Sequence, residues 1–144
     1  MFQNPTDQQL VDLLQNSKTI AVVGLSGDPE KASYQVAAYE QSQGYEVVPI
    51  NPTVESVLGR KAQHILTEVE GPIDIVNVFR RSGEVATIVD QAIEIGAKAV
   101  WTQLDIVDET AAKKAQDAGL VVVMDKCLKV EHRRLLGKEN NDSK

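Results

Sequence analysis

The sequence predicts an α/β fold, a doubly wound five-stranded parallel sheet of the Rossmann-like type with helices on both faces. Two observations predict it. Five short apolar runs, rich in β-branched residues, have the composition of strands buried on both faces (residues 19–24, 45–50, 73–79, 99–101 and 120–124). Helical patterns of about a dozen residues separate several of them, and such alternation is typical of right-handed crossovers in a parallel sheet.

The first half of the chain begins with a helix that Thr6 caps, followed by a central strand over residues 19–24. A turn-rich loop then leads to a helix that starts at Ser33 and ends at Gly44, a residue that tolerates positive φ. The next strand covers residues 45–50. Its Pro49 lacks an N–H group, so we expect it at the end of the strand, where pairing ceases.

Residues 51–72 are less regular, and we expect one short helical turn there. The strand at 73–79 leads to a helix from Gly83 to Gly96, and the strand at 99–101 precedes a helix that Asp108 caps and Gly119 ends. The strand at 120–124 and a helix over 130–136 complete the fold. Residues 1–137 are thus expected to form a single domain, and 138–144 a polar C-terminal tail.

Composition and charge narrow the function classes. The chain has 144 residues, 42% hydrophobic and 25% charged, which suits one globular domain. Its net charge of −6 argues against a protein that covers duplex DNA, but not against a small anionic ligand. A single cysteine excludes an internal disulfide, and no apolar segment suggests a leader or a membrane span. We therefore expect a cytoplasmic protein without nucleic-acid or membrane partners.

In this topology, ligands bind at the switch point, outside the carboxyl ends of the first and third strands. The loop Gly24-Leu25-Ser26-Gly27 lies there, and its N–H groups and the following helix favour an anion such as a pyrophosphate. The motif matches neither the dinucleotide fingerprint nor the P-loop. A purely structural glycine turn is the alternative.

The end of the second strand gives a test for nicotinamide cofactors, because those folds place an acidic residue there to bind ribose. Here the position holds Asn51-Pro52, which argues against NAD and favours a ribose that carries a phosphate. Arg80 and Arg81 follow the third strand and are predicted to contact phosphate or adenine. For Arg60 and Lys61, a solvated surface role is at least as well supported as a ligand role.

Many segments in order resemble one known family, the stand-alone CoA-binding domains, from about residue 17 to residue 136. They are residues 20–26, 31–34, 44–45, 48–52, 58–59, 74–76, 78–81, 95–97, 100–101, 103 and 125–127. Such domains are also similar to the CoA-binding N-terminal domain of the succinyl-CoA synthetase α-subunit. The resemblance implies a Rossmann-like fold with coenzyme A as its cofactor.

The resemblance also implies which residues bind the parts of coenzyme A. Those for the diphosphate region are Gly24, Leu25, Ser26, Lys31 and Ser33, with Tyr34 in the same segment. Those that flank adenine and the phosphorylated ribose are Ile50, Asn51, Pro52, Val78, Phe79, Arg80 and Arg81. Trp101 and Gln103 are implied toward pantetheine. Two positions depart from the family: Ala32, where proline is frequent, and Leu104-Asp105, where a small glycine-containing stretch is usual.

Catalytic chemistry has weak support in the sequence. Cys127, His132 and Asp125 could form a nucleophile, a base and an orienting group, but a lone cysteine after a buried strand is more often a core residue. His64 and His132 lack the neighbours of a metal site. Trp101 is expected in the core, and Phe79 either in the core or stacked on a base.

The prediction is a non-catalytic CoA or acyl-CoA binding protein; the alternatives are an NAD(P)- or CoA-dependent enzyme, or the CoA-binding subunit of a multi-chain acyl-CoA ligase. The sequence does not identify a protein partner, although one is possible.

Overall fold

The structure, a computed structural model, describes residues 2–137. Its helices are α1 (Asp7–Asn16), α2 (Ala32–Ser42), α3 (Val85–Glu94), α4 (Glu109–Asp117) and α5 (Leu128–Leu136). Its strands are β1 (Thr19–Val23), β2 (Glu46–Ile50), β3 (Ser56–Val57), β4 (Arg60–Lys61), β5 (Ile75–Val78), β6 (Ala99–Thr102) and β7 (Val121–Val123). Single 3₁₀ turns form at Leu66–Glu68 and Ser82–Glu84. The polar tail predicted for 138–144 lies outside the described residues.

The main sheet has five parallel strands in the order β2-β1-β5-β6-β7, which confirms the predicted fold class. Strand β1 pairs with β2 on one side and with β5 on the other, so that Val22 lies between Pro49 and Asn77. The chain thus places β2 on one side of β1 and later places β5 on the other side. The carboxyl ends of β1 and β5 lie at the predicted switch point.

Two apolar cores lie on opposite faces of this sheet because successive strand residues point to opposite sides. In β1, Ile20 and Val22 pack with residues of α1, α2 and α5, whereas Ala21 and Val23 pack with residues of α3 and α4. The helices on both faces explain why the strands are continuous apolar runs rather than alternating patterns.

Local signals locate most helix boundaries. Thr6 caps α1 in a capping box, in which its Oγ1 accepts from the Gln9 N–H and the Gln9 Oε1 accepts from the Thr6 N–H. Asp108 caps α4 as predicted. The last helix begins at Leu128 rather than Val130, and the fully buried Leu128 side chain fixes its first turn in the core.

The sequence did not predict the hairpin of β3 and β4. Its strands are antiparallel, and Leu58 and Gly59 form the turn at φ 53° and 78°. The segment after it covers the outer edge of β2, where the Gln63 N–H donates to the Pro49 carbonyl. Pro49 therefore sits inside an edge strand with its missing N–H on the outer side. The predicted helical turn is present at Leu66–Glu68.

The longest of these helices, α2, has 11 residues. Within residues 2–137, we find no helix with the length and apolar character needed to cross a membrane.

Candidate functional site

Gly24 ends β1 and brings three backbone segments together at the switch point. Its N–H donates to the Ile50 carbonyl at 2.9 Å, and its φ is +87°. A Cβ atom at this position would lie 2.5 Å from the Phe79 carbonyl oxygen and 2.8 Å from the Arg80 Cδ. The position therefore requires glycine both for its conformation and for the close approach of the β5 loop.

The loop from Gly24 to α2 is held by its own side chains. The Ser33 Oγ accepts from the Ser26 N–H at 3.0 Å, and the Ser26 Oγ accepts from the Asp28 N–H at 3.0 Å. Within the part of the chain that the structure describes, no side chain caps the amino end of α2, where Lys31 is the N-cap residue. The first N–H groups of α2 are thus free of side-chain acceptors, which together with the helix dipole favours an anion.

Asn51 joins the end of β2 to the glycine loop. Its Nδ2 donates to the Leu25 carbonyl at 3.0 Å, and its Oδ1 accepts from the N–H and the hydroxyl of Thr53. A carboxylate here could not donate to the Leu25 carbonyl. Asn51 thus has a structural role at the position where nicotinamide-binding folds place their acidic residue.

Arg80 and Arg81 share one carboxylate in the loop after β5. The Arg80 guanidinium lies 2.8 Å from the Glu84 Oε1, and the Arg81 Nε lies 3.6 Å from the Glu84 Oε2. The Arg80 side chain is 41% exposed and the Arg81 side chain 92% exposed. Glu84 therefore orients Arg80, while Arg81 is free to move toward an anion.

A cavity of about 520 Å³ opens on one side of Arg80. Apolar side chains and the thiol of Cys127 line much of it, with polar groups from Ser82, Gln103 and Asp105. Ala32, the first residue of α2, is also in the lining, so the helix amino end borders this space. The volume and the apolar lining are typical of a site for a small organic ligand.

A second cavity of about 290 Å³ is also lined by Arg80. Gly24, Ile50 and Pro52 line one wall, and residues of the Ser82–Glu84 turn and α3 line the other. Arg80 lines both cavities, so the two spaces share this residue at the carboxyl edge of the sheet.

A chain of buried polar side chains ends at the larger cavity. The Gln103 Nε2 donates to the Asn77 Oδ1 at 2.5 Å, and the Asn77 Nδ2 donates to the Glu40 Oε2 at 2.7 Å. Glu40 and Asn77 are fully buried. Burial raises the pKa of the Glu40 carboxyl to about 8, and the hydrogen bond from Asn77 opposes this rise only in part.

The residues considered for catalysis have other partners. The His132 Nδ1 lies 2.8 Å from the Tyr39 hydroxyl, and its ring packs edge-on against Tyr39 and Tyr45. Burial lowers the pKa of His132, which favours the neutral imidazole. The Asp125 Oδ1 accepts from the Asp105 N–H. This arrangement agrees with a structural role for His132 and leaves Cys127 half-buried in the cavity wall.

The structure brings together seven of the predicted ligand residues. Those that line the cavities are Gly24, Ile50, Pro52, Phe79, Arg80, Arg81 and Gln103. Those outside both linings are Leu25, Ser26, Lys31, Ser33, Tyr34, Asn51 and Val78. Leu25 and Val78 are fully buried, and their carbonyls accept hydrogen bonds from the Asn51 Nδ2 and the Gln103 N–H. Trp101 is buried in the core as expected, and its Nε1 donates to the Lys126 carbonyl.

Several lining residues were not predicted from the sequence. Ala32, Leu104, Asp105 and Ile106 line the larger cavity, although Ala32, Leu104 and Asp105 were noted only as departures from a family pattern. The smaller cavity contains His64 and Gln91. The position of Asp105 just after β6, at the same edge of the sheet, was the available signal.

Comparisons with known proteins agree with this architecture. The sequence model of a family described as "CoA binding domain" matches residues 18–133. An uncharacterized protein of Bacillus subtilis, YneT, is 45% identical over 131 residues, which is 91% of this chain and 97% of that protein. A solved structure of a hypothetical protein from Pyrococcus horikoshii is 38% identical, with a TM-score of 0.90 over 95% of this chain and 99% of that one.

A third relative has an activity in its name. The α-subunit of acetate–CoA ligase (ADP-forming) II of Pyrococcus furiosus is 33% identical over 92 residues. The match spans 63% of this chain but only 20% of that subunit. The matched part of this chain therefore corresponds to about a fifth of that longer subunit.

Proposed function

Because the chain belongs to the CoA-binding domain family, we propose that it binds coenzyme A, free or as an acyl thioester, as a non-catalytic binding or sensor protein. The observation that carries this proposal is the pair of cavities that meet at Arg80 at the switch point. An elongated ligand with a nucleotide at one end and an apolar arm at the other fits two adjoining cavities better than a compact metabolite does.

The residues present suit the parts of coenzyme A. Ile50 and Pro52 supply a partly apolar wall for adenine in the smaller cavity, and Arg80 and Arg81 supply cations for the phosphates. The uncapped amino end of α2 offers N–H groups to the diphosphate. The larger, mostly apolar cavity would hold the pantetheine arm, with Gln103 as a polar contact and Cys127 in its wall.

The choice of coenzyme A over NAD rests on the ribose position. Asn51 uses its side chain to hold the Leu25 carbonyl and Thr53, and no carboxylate stands there for a free ribose diol. A phosphorylated ribose, by contrast, finds two arginines at the same edge of the sheet.

Isothermal titration calorimetry with coenzyme A, dephospho-CoA and NAD tests the proposal. We expect coenzyme A to bind most tightly and dephospho-CoA more weakly, because dephospho-CoA lacks the ribose phosphate. If coenzyme A binds no tighter than the other two, the proposal is wrong. Native mass spectrometry of the freshly purified protein provides a second test, in which a retained mass identifies the ligand and any acyl group.

Replacing both Arg80 and Arg81 with alanine is expected to weaken binding of coenzyme A at least tenfold, because each charge-assisted hydrogen bond to phosphate contributes ~1.5–3 kcal/mol. Calorimetry measures this loss. The matched control is Arg60→Ala with Lys61→Ala, which removes two charges from β4, outside both cavities. Equal losses in the two double variants would mean that Arg80 and Arg81 act only through net charge.

A second function deserves a test because one relative is a ligase subunit. This chain would then supply the CoA site of an acyl-CoA ligase assembled from separate chains. Affinity purification of the tagged chain from its native host distinguishes the two roles. Recovery of stoichiometric amounts of an ATP-binding subunit would favour the ligase role, whereas recovery of the chain alone with bound coenzyme A would favour the independent binder.

A further inference from the structure

Glu40 is a buried carboxyl group for which the proposed binding of coenzyme A gives no role. It lies in α2, fully buried, and its Oε1 has no hydrogen-bond partner within residues 2–137. Its Oε2 accepts a hydrogen bond from the Asn77 Nδ2 at 2.7 Å. Burying a carboxyl group costs free energy, so the hydrogen bonds that connect Glu40 to other side chains point to a role for it.

That connection leads to the larger cavity. The Asn77 Oδ1 accepts from the Gln103 Nε2, and Gln103 lines the cavity. Each side-chain amide has one donor end and one acceptor end, so the orientation of Asn77 fixes that of Gln103. Because the Asn77 Nδ2 faces Glu40, the Asn77 Oδ1 faces Gln103, and the Gln103 Nε2 donates its hydrogen bond to this oxygen. The Gln103 Oε1 then accepts no hydrogen bond from the described residues and is available to a ligand.

The protonation state of Glu40 bears on this orientation, because only a protonated carboxyl group has a hydrogen to donate. Both oxygens of an ionised carboxylate can only accept, so the Asn77 Nδ2 must face Glu40. A carboxyl group protonated at Oε2 can instead donate to the Asn77 Oδ1. Both amides then reverse, and the Gln103 Nε2 rather than its Oε1 faces the cavity.

We propose that Glu40 is a positioning residue for the ligand, whose ionisation locks Gln103 with Oε1 toward the cavity, where this oxygen accepts a hydrogen bond from an amide N–H of the ligand. The inference rests on the proposed function, since the pantetheine arm of coenzyme A is the ligand segment that contains amide groups. The inference makes the affinity of the site for its ligand depend on pH.

The tyrosine and histidine side chains near Glu40 have pKa values that are shifted away from this pH range. Burial, with a smaller effect of the Glu40 charge, raises the pKa of Tyr45 to about 12, and burial raises that of Tyr39. Burial lowers the pKa of His132 on α5 from 6.5. The cations Lys129 and Arg133 lie over the Tyr39 ring. A transition near pH 8, the value to which burial raises the pKa of Glu40, is therefore not expected from Tyr39, Tyr45 or His132, and the signal of the Glu40 carboxyl carbon identifies it.

NMR of the full-length chain tests the relay without a ligand. We expect the Glu40 carboxyl carbon and the side-chain amide nitrogens of Asn77 and Gln103 to titrate with one midpoint near pH 8. In Glu40→Gln, both amide signals should be independent of pH in this range. If the Glu40 carbon titrates while the Gln103 amide does not move, the relay is overturned.

Addition of coenzyme A tests the ligand contact. Because binding and ionisation are reciprocal, a ligand that prefers Oε1 must lower the Glu40 midpoint, and we expect binding at least ~3-fold tighter at pH 9 than at pH 7. Glu40→Gln should abolish this pH dependence. An unchanged or raised midpoint on saturation with coenzyme A would overturn the contact.

Tyr45→Phe is the matched control for lost core stability. It removes a 2.6 Å hydrogen bond to the Leu14 carbonyl in the same core but leaves the relay intact. This variant should keep the pH dependence of binding; if it loses that dependence as Glu40→Gln does, the effect is structural and the inference is wrong. Failure of the wild-type protein to bind coenzyme A at any pH would instead refute the proposed function, and the amide titration would still decide on the relay.

Discussion

Substituting alanine for Gly24 is expected to lower the free energy of unfolding by more than ~2 kcal/mol and to weaken binding of coenzyme A at least tenfold. An L-residue in the left-handed region costs ~1–2 kcal/mol by itself. The added Cβ would also lie 2.5 Å from the Phe79 carbonyl oxygen, which is backbone and cannot rotate away. The loop after β5 must therefore shift, and with it Arg80, which lines both cavities.

Gly119→Ala separates conformational strain from this collision. Gly119 has φ +94°, and among the described residues beyond its chain neighbours nothing lies within 4 Å of the place that an alanine Cβ would occupy. It precedes β7, at the opposite end of the sheet. Gly119→Ala should be destabilised only by the cost of a positive φ in an L-residue, and it should bind coenzyme A normally. Urea denaturation and calorimetry measure the two effects. Equal destabilisation of both variants, with unchanged binding, would show that the close approach at Gly24 has no energetic weight.

Replacing Glu40 with glutamine is expected to stabilise the protein at alkaline pH by roughly 4–5 kcal/mol, since each unit of pKa difference corresponds to about 1.36 kcal/mol. Burial raises the pKa of Glu40 from 4.5 to about 8. Below pH 4.5 the folded and unfolded chains are both protonated at this group. As the pH rises toward 8, the unfolded chain alone loses the proton, so the wild-type protein becomes progressively less stable.

Urea unfolding at several pH values between 5 and 9 measures this difference. The two proteins should have similar stability near pH 5 and diverge steadily above it, because glutamine retains the acceptor for Asn77 but has no charge to bury. Glu55→Gln, an exposed position, controls for the loss of one carboxylate. A constant difference between wild type and Glu40→Gln across the range would mean that Glu40 is ionised in the folded protein.

Much of the fold was predictable because burial on both faces of a parallel sheet leaves a strong trace in the sequence. The five strands and the caps Thr6 and Asp108 follow from composition and short-range hydrogen bonding. The hairpin of β3 and β4 left no such trace, because strands of two residues are too short to show a period. Its turn at Leu58 requires a positive φ in a non-glycine residue, which no local pattern indicates.

The candidate site was predictable in its position but not in its internal contacts. Topology alone places residues that follow β1, β2 and β5 at one edge, and this located Gly24, Pro52 and Arg80. Glu40 fits the helical pattern of α2 like any other residue, and Asn77 lies within an apolar strand. Their link to Gln103 joins residues 37 and 26 positions apart, so it emerges only from the folded structure.

The sharing of Arg80 between two cavities bears on which ligands the proposed site would retain. A molecule anchored in one cavity holds its other end near the second cavity at a high effective concentration, so that the second contact costs little additional entropy. Either half alone would bind weakly and leave quickly. On the proposed function, two adjoining compartments would make the protein selective for the length of its ligand, independently of any single hydrogen bond.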